Sequence, residues 1–176
     1  LEFLPRACED GSDLEAREAM AIASYKAGRA FTQALLGYVH AISHQLGAHY
    51  GIPHGLGNAV VLPKVLAFSQ GPARARLAKL AVETGLGEAG DDEAALAQAF
   101  VDNIVELNEQ LGIPDSITEI REKDIPGMAK GALREALLNY PVPRHMGRSD
   151  CEELLRSLQG EPAVEALVEV ELKQAA

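Results

Sequence analysis

The chain has no tryptophan, only 5% aromatic residues and just two cysteines among its 176 residues. Cys8 and Cys151 cannot form the disulfide framework of a small secreted domain, so we expect a reducing, cytoplasmic location. No apolar run approaches the roughly 18–20 residues that cross a bilayer, so the sequence predicts no membrane segment.

Positive charge is also scarce. The chain has 16 Lys and Arg against 26 Asp and Glu, which gives a formal net charge of -10. Because an acidic chain repels phosphate groups, we expect neither nucleic acid nor a membrane surface as a partner. Hydrophobic residues make up 47% of the sequence, which is too many for a disordered chain.

The residues that are abundant, alanine and leucine above all, are strong helix formers. Together with helical spacing of the apolar positions they predict an all-α fold of about seven to nine helices. Helix starts are predicted at Ser12, which forms a capping box with Glu15, at Pro72, and at Ser149 or Asp150.

Four of the five histidines, His40, His44, His49 and His54, lie within fifteen residues. His40 and His44 project from one helix face, so their spacing alone predicts a pair of ligands to one metal ion. The plainer interpretation, ordinary surface or hydrogen-bonded histidines, is favoured for any single one. For the cluster we favour a functional site, because the glycines among these histidines allow close backbone approach.

A glycine-rich stretch at residues 85–90 has the letters GLGEAG, which fit the dinucleotide-binding pattern. That pattern works only after a strand and before a helix that cradles pyrophosphate. Here a helical segment precedes it, and acidic side chains would face the phosphates. The stretch is therefore predicted to be a helix end and a linker.

The histidine cluster lies in a longer run, residues 36–63, that reads LGYVHAISHQLGAHYGIPHGLGNAVVLP. This run resembles the signature of the iron-containing (group III) alcohol dehydrogenases. The resemblance extends to residues 15–20 and 28–31 upstream and to residues 111–114 and 124–126 downstream. It covers roughly residues 1–158.

The resemblance implies the multi-helical C-terminal domain of that family, whose fold is of the dehydroquinate synthase type. In the family the metal is held by one Asp and three His, and the two histidine positions that match here are His40 and His54. His44 matches a histidine that lines the nicotinamide and substrate pocket, so the resemblance implies a catalytic and cofactor-binding role for it. The resemblance thus implies His40 and His54 as the ligand pair, whereas spacing alone predicts His40 and His44.

The predicted domain organisation is a helical metal-binding and catalytic domain at residues 1–158 and a helical or poorly ordered tail at residues 159–176. The family's other two ligands, an Asp and a His four residues later, have no match in these 176 residues, and neither have its nucleotide-binding loops. The implied cofactors are therefore Fe(II) or Zn(II), incompletely ligated here, and NAD(P), bound through an N-terminal α/β domain absent from this chain.

The resemblance implies an NAD(P)-linked dehydrogenase for a small alcohol or aldehyde, with the isolated chain inactive. Two alternatives stay open. One is a non-catalytic helical module kept for dimerisation or by truncation, and the other is a helical metal-storage or sensor domain. Because a helical half without its cleft partner would expose apolar surface, we also expect a homo-oligomer.

Overall fold

The structure, a computed structural model, describes residues 2–160. Within this range the chain forms seven α-helices, one short 3-10 helix and no strand beyond an isolated bridge, so the predicted all-α fold is confirmed. The α-helices are α1 (Phe3–Glu9), α2 (Leu14–Ala34), α3 (Tyr38–Tyr50), α4 (His54–Glu83), α5 (Glu93–Gln110), α6 (Ile125–Asn139) and α7 (Arg148–Ser157). The 3-10 helix (Glu122–Asp124) leads directly into α6.

Helix α2 begins one residue later than the capping box predicts. Asp13 is the N-cap, and its side chain accepts a hydrogen bond from the backbone N–H of Ala16 at 3.0 Å. Ser12 instead donates to the side chain of Asp10 at 2.6 Å. The Asp13 carboxylate also forms an ion pair with the Arg6 guanidinium at 2.8 Å. This second partner favours Asp13 over Ser12 as the cap.

The start of the last helix also differs from its predicted position. Helix α7 begins at Arg148 with Gly147 as its N-cap, so the predicted caps at Ser149 and Asp150 are wrong. Asp150 nevertheless stabilises the start of the helix, because its side chain accepts a hydrogen bond from the backbone N–H of Gly147 at 2.8 Å.

Helix α4 runs without interruption through Pro63 and Pro72, so the helix start predicted at Pro72 is wrong. A proline inside a helix removes one backbone hydrogen bond and costs about 3 kcal/mol. Helix α5 packs along α4 and buries Ala73 and Leu77 against Ala97 and Val101. This burial offsets the cost and keeps the helix continuous past the second proline.

Helix α3 lies in the main core, packed against both α4 and α6. Its Ile42 and Leu46 are completely buried, in one cluster with Val61 of α4, Met128 of α6 and Leu155 of α7. Because α3 is held on two sides, the histidines that it carries have a rigid support.

The predicted helical tail lies mostly outside the described residues, which end at Gly160. Of the tail's first residues, Gln159 pairs with Ile117 in the isolated parallel bridge, and the Gly160 N–H donates to the carbonyl of Ile117 at 3.3 Å. Over residues 2–160, none of the helices has the length and apolar character needed to cross a membrane.

Candidate active site

Three of the predicted site residues come together where α3 meets the start of α4. His40 and His44 lie on α3, and His54 is the first residue of α4. The ring centroids of His40 and His54 are 5.2 Å apart, those of His44 and His54 are 5.3 Å apart, and those of His40 and His44 are 6.0 Å apart. The break at residues 51–53 turns the chain back so that all three rings meet.

The fourth histidine of the sequence cluster takes a different place. His49 is exposed, and its Nδ1 forms a hydrogen bond with the backbone carbonyl of Gln45 at 2.9 Å. Its ring lies beside that of Tyr50, with 6.0 Å between centroids. His49 therefore serves as a natural control for the three clustered histidines.

The close approach of α4 to α3 depends on Gly57. A Cβ atom at this position would lie 2.5 Å from the Ser43 Oγ and 3.4 Å from the Ser43 Cβ, so only glycine fits without a shift. The Ser43 hydroxyl in turn donates to the backbone carbonyl of His54 at 3.3 Å. These contacts hold the first turn of α4 beside His40.

Asn58 links two of the rings. Its Nδ2 lies 3.4 Å from the His40 Nε2 and 3.0 Å from the His54 Nε2. Because an amide NH₂ group only donates, Asn58 forms hydrogen bonds here with ring tautomers that keep the lone pair on Nε2. The Asn58 Oδ1 is buried and has no hydrogen-bond partner among residues 2–160. Two converging imidazole lone pairs are what a divalent metal ion requires of its histidine ligands.

The environment of His40 favours its neutral form. Burial lowers the pKa of His40, and the neighbouring His54 and His44 rings lower it further. A neutral imidazole keeps the lone pair that a metal ligand needs. Asn58 was not predicted as a site residue from the sequence. Helical periodicity nevertheless places it on the same face of α4 as His54, four residues earlier.

His44 makes a separate set of contacts. Its Nδ1 lies 2.8 Å from the Glu135 Oε1, and the Tyr140 hydroxyl donates to the same oxygen at 2.7 Å. Burial, followed by the adjacent Glu135, raises the pKa of Tyr140 to about 12, so the phenol stays protonated. Nothing in the sequence pointed to Glu135, which is 91 residues from His44 in the chain.

The residues described by the structure contain no group of three or more His, Cys, Asp or Glu side chains placed to hold one metal ion. The Nε2 atoms of His40 and His54 are the two histidine nitrogens that lie near the Asn58 Nδ2. The ligand assignment itself stays a prediction.

A cavity of about 480 Å³ adjoins His40 and Asn58. Most of its walls are apolar and include Phe31, Leu62 and residues 141–143, which follow α6. Arg144 fixes the end of this loop, because it donates to the carbonyl of Phe68 at 3.0 Å and its guanidinium carbon lies 4.0 Å from the Phe68 ring centroid.

Comparison with known proteins identifies the architecture. The model of the Fe-containing alcohol dehydrogenase family, C-terminal, matches residues 1–159. The chain belongs to the iron-containing alcohol dehydrogenase family. The resemblance carried by residues 36–63 is thereby confirmed, and the fold is that of the C-terminal domain of an iron-containing alcohol dehydrogenase.

Similar members of the iron-containing alcohol dehydrogenase family include two bacterial enzymes. The chain is 41% identical over 158 residues to the NAD-dependent methanol dehydrogenase of Bacillus methanolicus, covering 89% of this chain and 41% of that protein. It is 38% identical over 148 residues to the 1,3-propanediol dehydrogenase of Citrobacter freundii, covering 83% of this chain and 38% of that protein. The chain thus spans about two fifths of the length of these relatives.

The family fold is also seen in solved structures. The structure of a 1,3-propanediol oxidoreductase superimposes with a TM-score of 0.84 at 36% identity. The match covers 89% of this chain and 41% of that one. Both comparisons therefore align this chain with less than half of a longer family member.

Proposed function

We propose that the chain is the C-terminal part of a metal-dependent, NAD(P)-linked alcohol dehydrogenase that interconverts a small alcohol and its aldehyde or ketone. The observation that carries this proposal is the convergence of the His40 and His54 Nε2 atoms on one point beside an apolar cavity. Family membership supports it, because the relatives compared above are named as dehydrogenases of methanol and 1,3-propanediol.

In this proposal His40 and His54 hold Fe(II) or Zn(II) through their Nε2 atoms, since both metals accept imidazole ligands. A divalent metal, when bound, polarises the substrate oxygen and lowers the pKa of the alcohol. His44, whose ring stacks on that of His54 at an angle of 19°, orients the nicotinamide or relays a proton at its free ring nitrogen.

The apolar walls of this cavity would contact the alkyl part of the substrate. Phe31 and Leu62 line it, and residues 141–143 form another part of its wall.

We further propose that residues 1–176 alone are inactive. Two imidazoles leave the coordination of a divalent metal half empty, since such sites take at least three protein ligands. Purified residues 1–176 are expected to give no alcohol-dependent reduction of NAD or NADP. Turnover at ordinary enzyme rates by these residues alone would contradict this expectation.

The test of the dehydrogenase proposal uses the longest polypeptide that the gene encodes around residues 1–176. Alcohol-dependent reduction of NAD and NADP is followed with Fe(II) or Zn(II) added, using methanol, 1-propanol and 1,3-propanediol. His40→Ala and His54→Ala are expected to lose activity, and the matched control His49→Ala is expected to keep it. Activity that survives loss of His40 and His54 would contradict the proposed metal site.

The reading frame that encodes residues 1–176 distinguishes the dehydrogenase proposal from the non-catalytic module. An upstream segment in frame, with an Asp and a His four residues apart, supports the enzyme. A start codon directly before Leu1, preceded by a stop codon, supports the module. The storage or sensor alternative requires residues 1–176 to bind metal tightly and stoichiometrically, with loss of binding when either His40 or His54 is replaced.

We also propose that the chain forms a homo-oligomer. Apolar side chains of α2 stay exposed, with exposed fractions of 47% for Ile22 and 66% for Tyr25. A second copy of the chain would cover this surface. Light scattering after size exclusion is expected to give a mass above 18.8 kDa, and a monomer mass at all concentrations would contradict the proposal.

A further inference from the structure

One carboxylate oxygen connects His44 to the end of α6. The Glu135 Oε1 lies 2.8 Å from the His44 Nδ1 and 2.7 Å from the Tyr140 hydroxyl. The Glu135 side chain is only 24% exposed, and that of His44 is 40% exposed. The two hydrogen bonds therefore form partly out of water, where they restrict the side chains more than exposed ones would.

We propose that Glu135 and Tyr140 are positioning residues, which fix His44 as its Nδ1–H tautomer and leave Nε2 as the nitrogen with the lone pair. The proposal rests on the proposed function for its consequence in catalysis, but the tautomer itself does not depend on activity. A carboxylate can only accept hydrogen bonds, so a neutral His44 must carry its proton on the Nδ1 that faces Glu135. A histidine oriented this way by a carboxylate recurs wherever one ring nitrogen must be presented in a defined state.

The backbone places Glu135 for this contact. Gly131 lies four residues earlier on the same face of α6. A Cβ atom on Gly131 would collide with the side-chain amide of Gln45, the residue next to His44, and would lie 2.7 Å from its Cδ. The absence of a side chain at Gly131 thus lets the second half of α6 lie against α3 where His44 projects.

Tyr140 holds the carboxylate from its other side. It is the C-cap of α6, where its backbone N–H donates to the carbonyl of Ala136. The Asn139 side chain donates to the carbonyl of Glu135 at 2.9 Å and ties the same turn. With its phenol protonated across the neutral pH range, Tyr140 stays a donor, and Glu135 cannot turn away without losing both hydrogen bonds.

The experiment measures the tautomer directly in ¹⁵N-labelled residues 1–176. Two-bond ¹H–¹⁵N spectra of the histidine rings are recorded at about pH 8.5, well above the ordinary imidazole pKa. The His44 ring is expected as the Nδ1–H tautomer. In Glu135→Ala its population is expected to move to the Nε2–H tautomer that free imidazole side chains prefer. Glu106→Ala, which removes an exposed glutamate on α5, is the matched control and is expected to leave His44 unchanged.

A second variant guards against misfolding. Glu135→Gln keeps the side-chain volume but offers a neutral amide that can donate as well as accept, so a mixture of His44 tautomers is expected. An Nε2–H tautomer of His44 in the unmodified chain would overturn the proposal. So would an Nδ1–H tautomer that persists unchanged in a folded Glu135→Ala.

The consequence for catalysis is measured separately in the longest encoded polypeptide. Glu135→Gln is expected to lower kcat roughly tenfold to hundredfold with little change in KM, because the histidine is misoriented rather than lost. If the unmodified polypeptide is inactive, the proposed function fails while the tautomer result stands. If it is active and kcat does not change in Glu135→Gln, the positioning role fails.

Discussion

Replacing Gly57 by alanine tests whether the close contact between α3 and α4 builds the histidine cluster. The added Cβ would meet the Ser43 Oγ at 2.5 Å, well inside van der Waals contact. In a packed core such an intrusion costs about 1–3 kcal/mol. Alanine in a helix is favoured over glycine by about 1 kcal/mol, which offsets part of this cost. Gly57→Ala is therefore expected to lower the free energy of unfolding by about 0–2 kcal/mol.

The effect of Gly57→Ala on stability is expected to change from destabilising to stabilising when Ser43 is also replaced. Ser43→Ala removes the hydroxyl, and the nearest contact of a Cβ added at position 57 would then be the Cβ of residue 43, at 3.4 Å. Ser43→Ala alone loses its hydrogen bond to His54 and is expected to cost about 0.5–1.5 kcal/mol. In that background Gly57→Ala is expected to stabilise the protein by up to about 1 kcal/mol.

Urea unfolding followed by far-UV circular dichroism measures all four members of this cycle, since the chain has no tryptophan for fluorescence. Gly55→Ala is the control, because a Cβ at Gly55, on the same helix, would meet nothing within 4 Å. It is expected to be neutral or stabilising with or without Ser43. An interaction energy between Gly57→Ala and Ser43→Ala below about 0.5 kcal/mol would refute the close contact.

The thiols provide a second prediction: exposed Cys8 is expected to react with a thiol reagent in the folded protein, and buried Cys151 only after unfolding. Burial raises the pKa of Cys151 from 9.0 to about 12, so its contribution to stability is present below pH 9.0 and is lost as pH rises toward 12. At pH 10 the loss is on the order of 1 kcal/mol, and an equally steep alkaline loss in Cys151→Ala would contradict this. A third prediction concerns the Tyr38 hydroxyl, which accepts the backbone N–H of Met146 at 2.9 Å. Tyr38→Phe leaves that buried N–H unpaired and is expected to cost about 1–3 kcal/mol in urea unfolding, and an unchanged midpoint would argue against the bond.

Local sequence features predicted much of the fold. Asp92, a residue type that favours the N-cap, caps α5 with its side chain accepting from the N–H of Ala95 at 2.9 Å, and His54 begins α4 after Pro53. The start predicted at Pro72 was wrong, because propensity does not include the packing of α5 that keeps α4 continuous.

The site was predictable to the extent that its residues are close in sequence. Spacing placed His40 and His44 on one helix face and His54 in the same cluster, and the family resemblance assigned His54 instead of His44 as the second ligand. Glu135 and Tyr140 could not be found this way, because only the packing of α6 on α3 brings them to His44. Asn58 lies between these cases, since helical periodicity places it beside His54 but does not reveal that its amide faces two rings.

The central claim is that His40 and His54, rather than His40 and His44, present their Nε2 atoms to one metal ion. The histidine ring ¹⁵N signals of the longest polypeptide encoded around residues 1–176 are followed during titration with Zn(II). We expect the Nε2 signals of His40 and His54 to shift together, His44 to keep its Nδ1–H pattern, and His54→Ala to abolish the response of His40. A joint shift of His40 and His44 with His54 unaffected, or no shared response of His40 and His54 at saturating zinc, would contradict it.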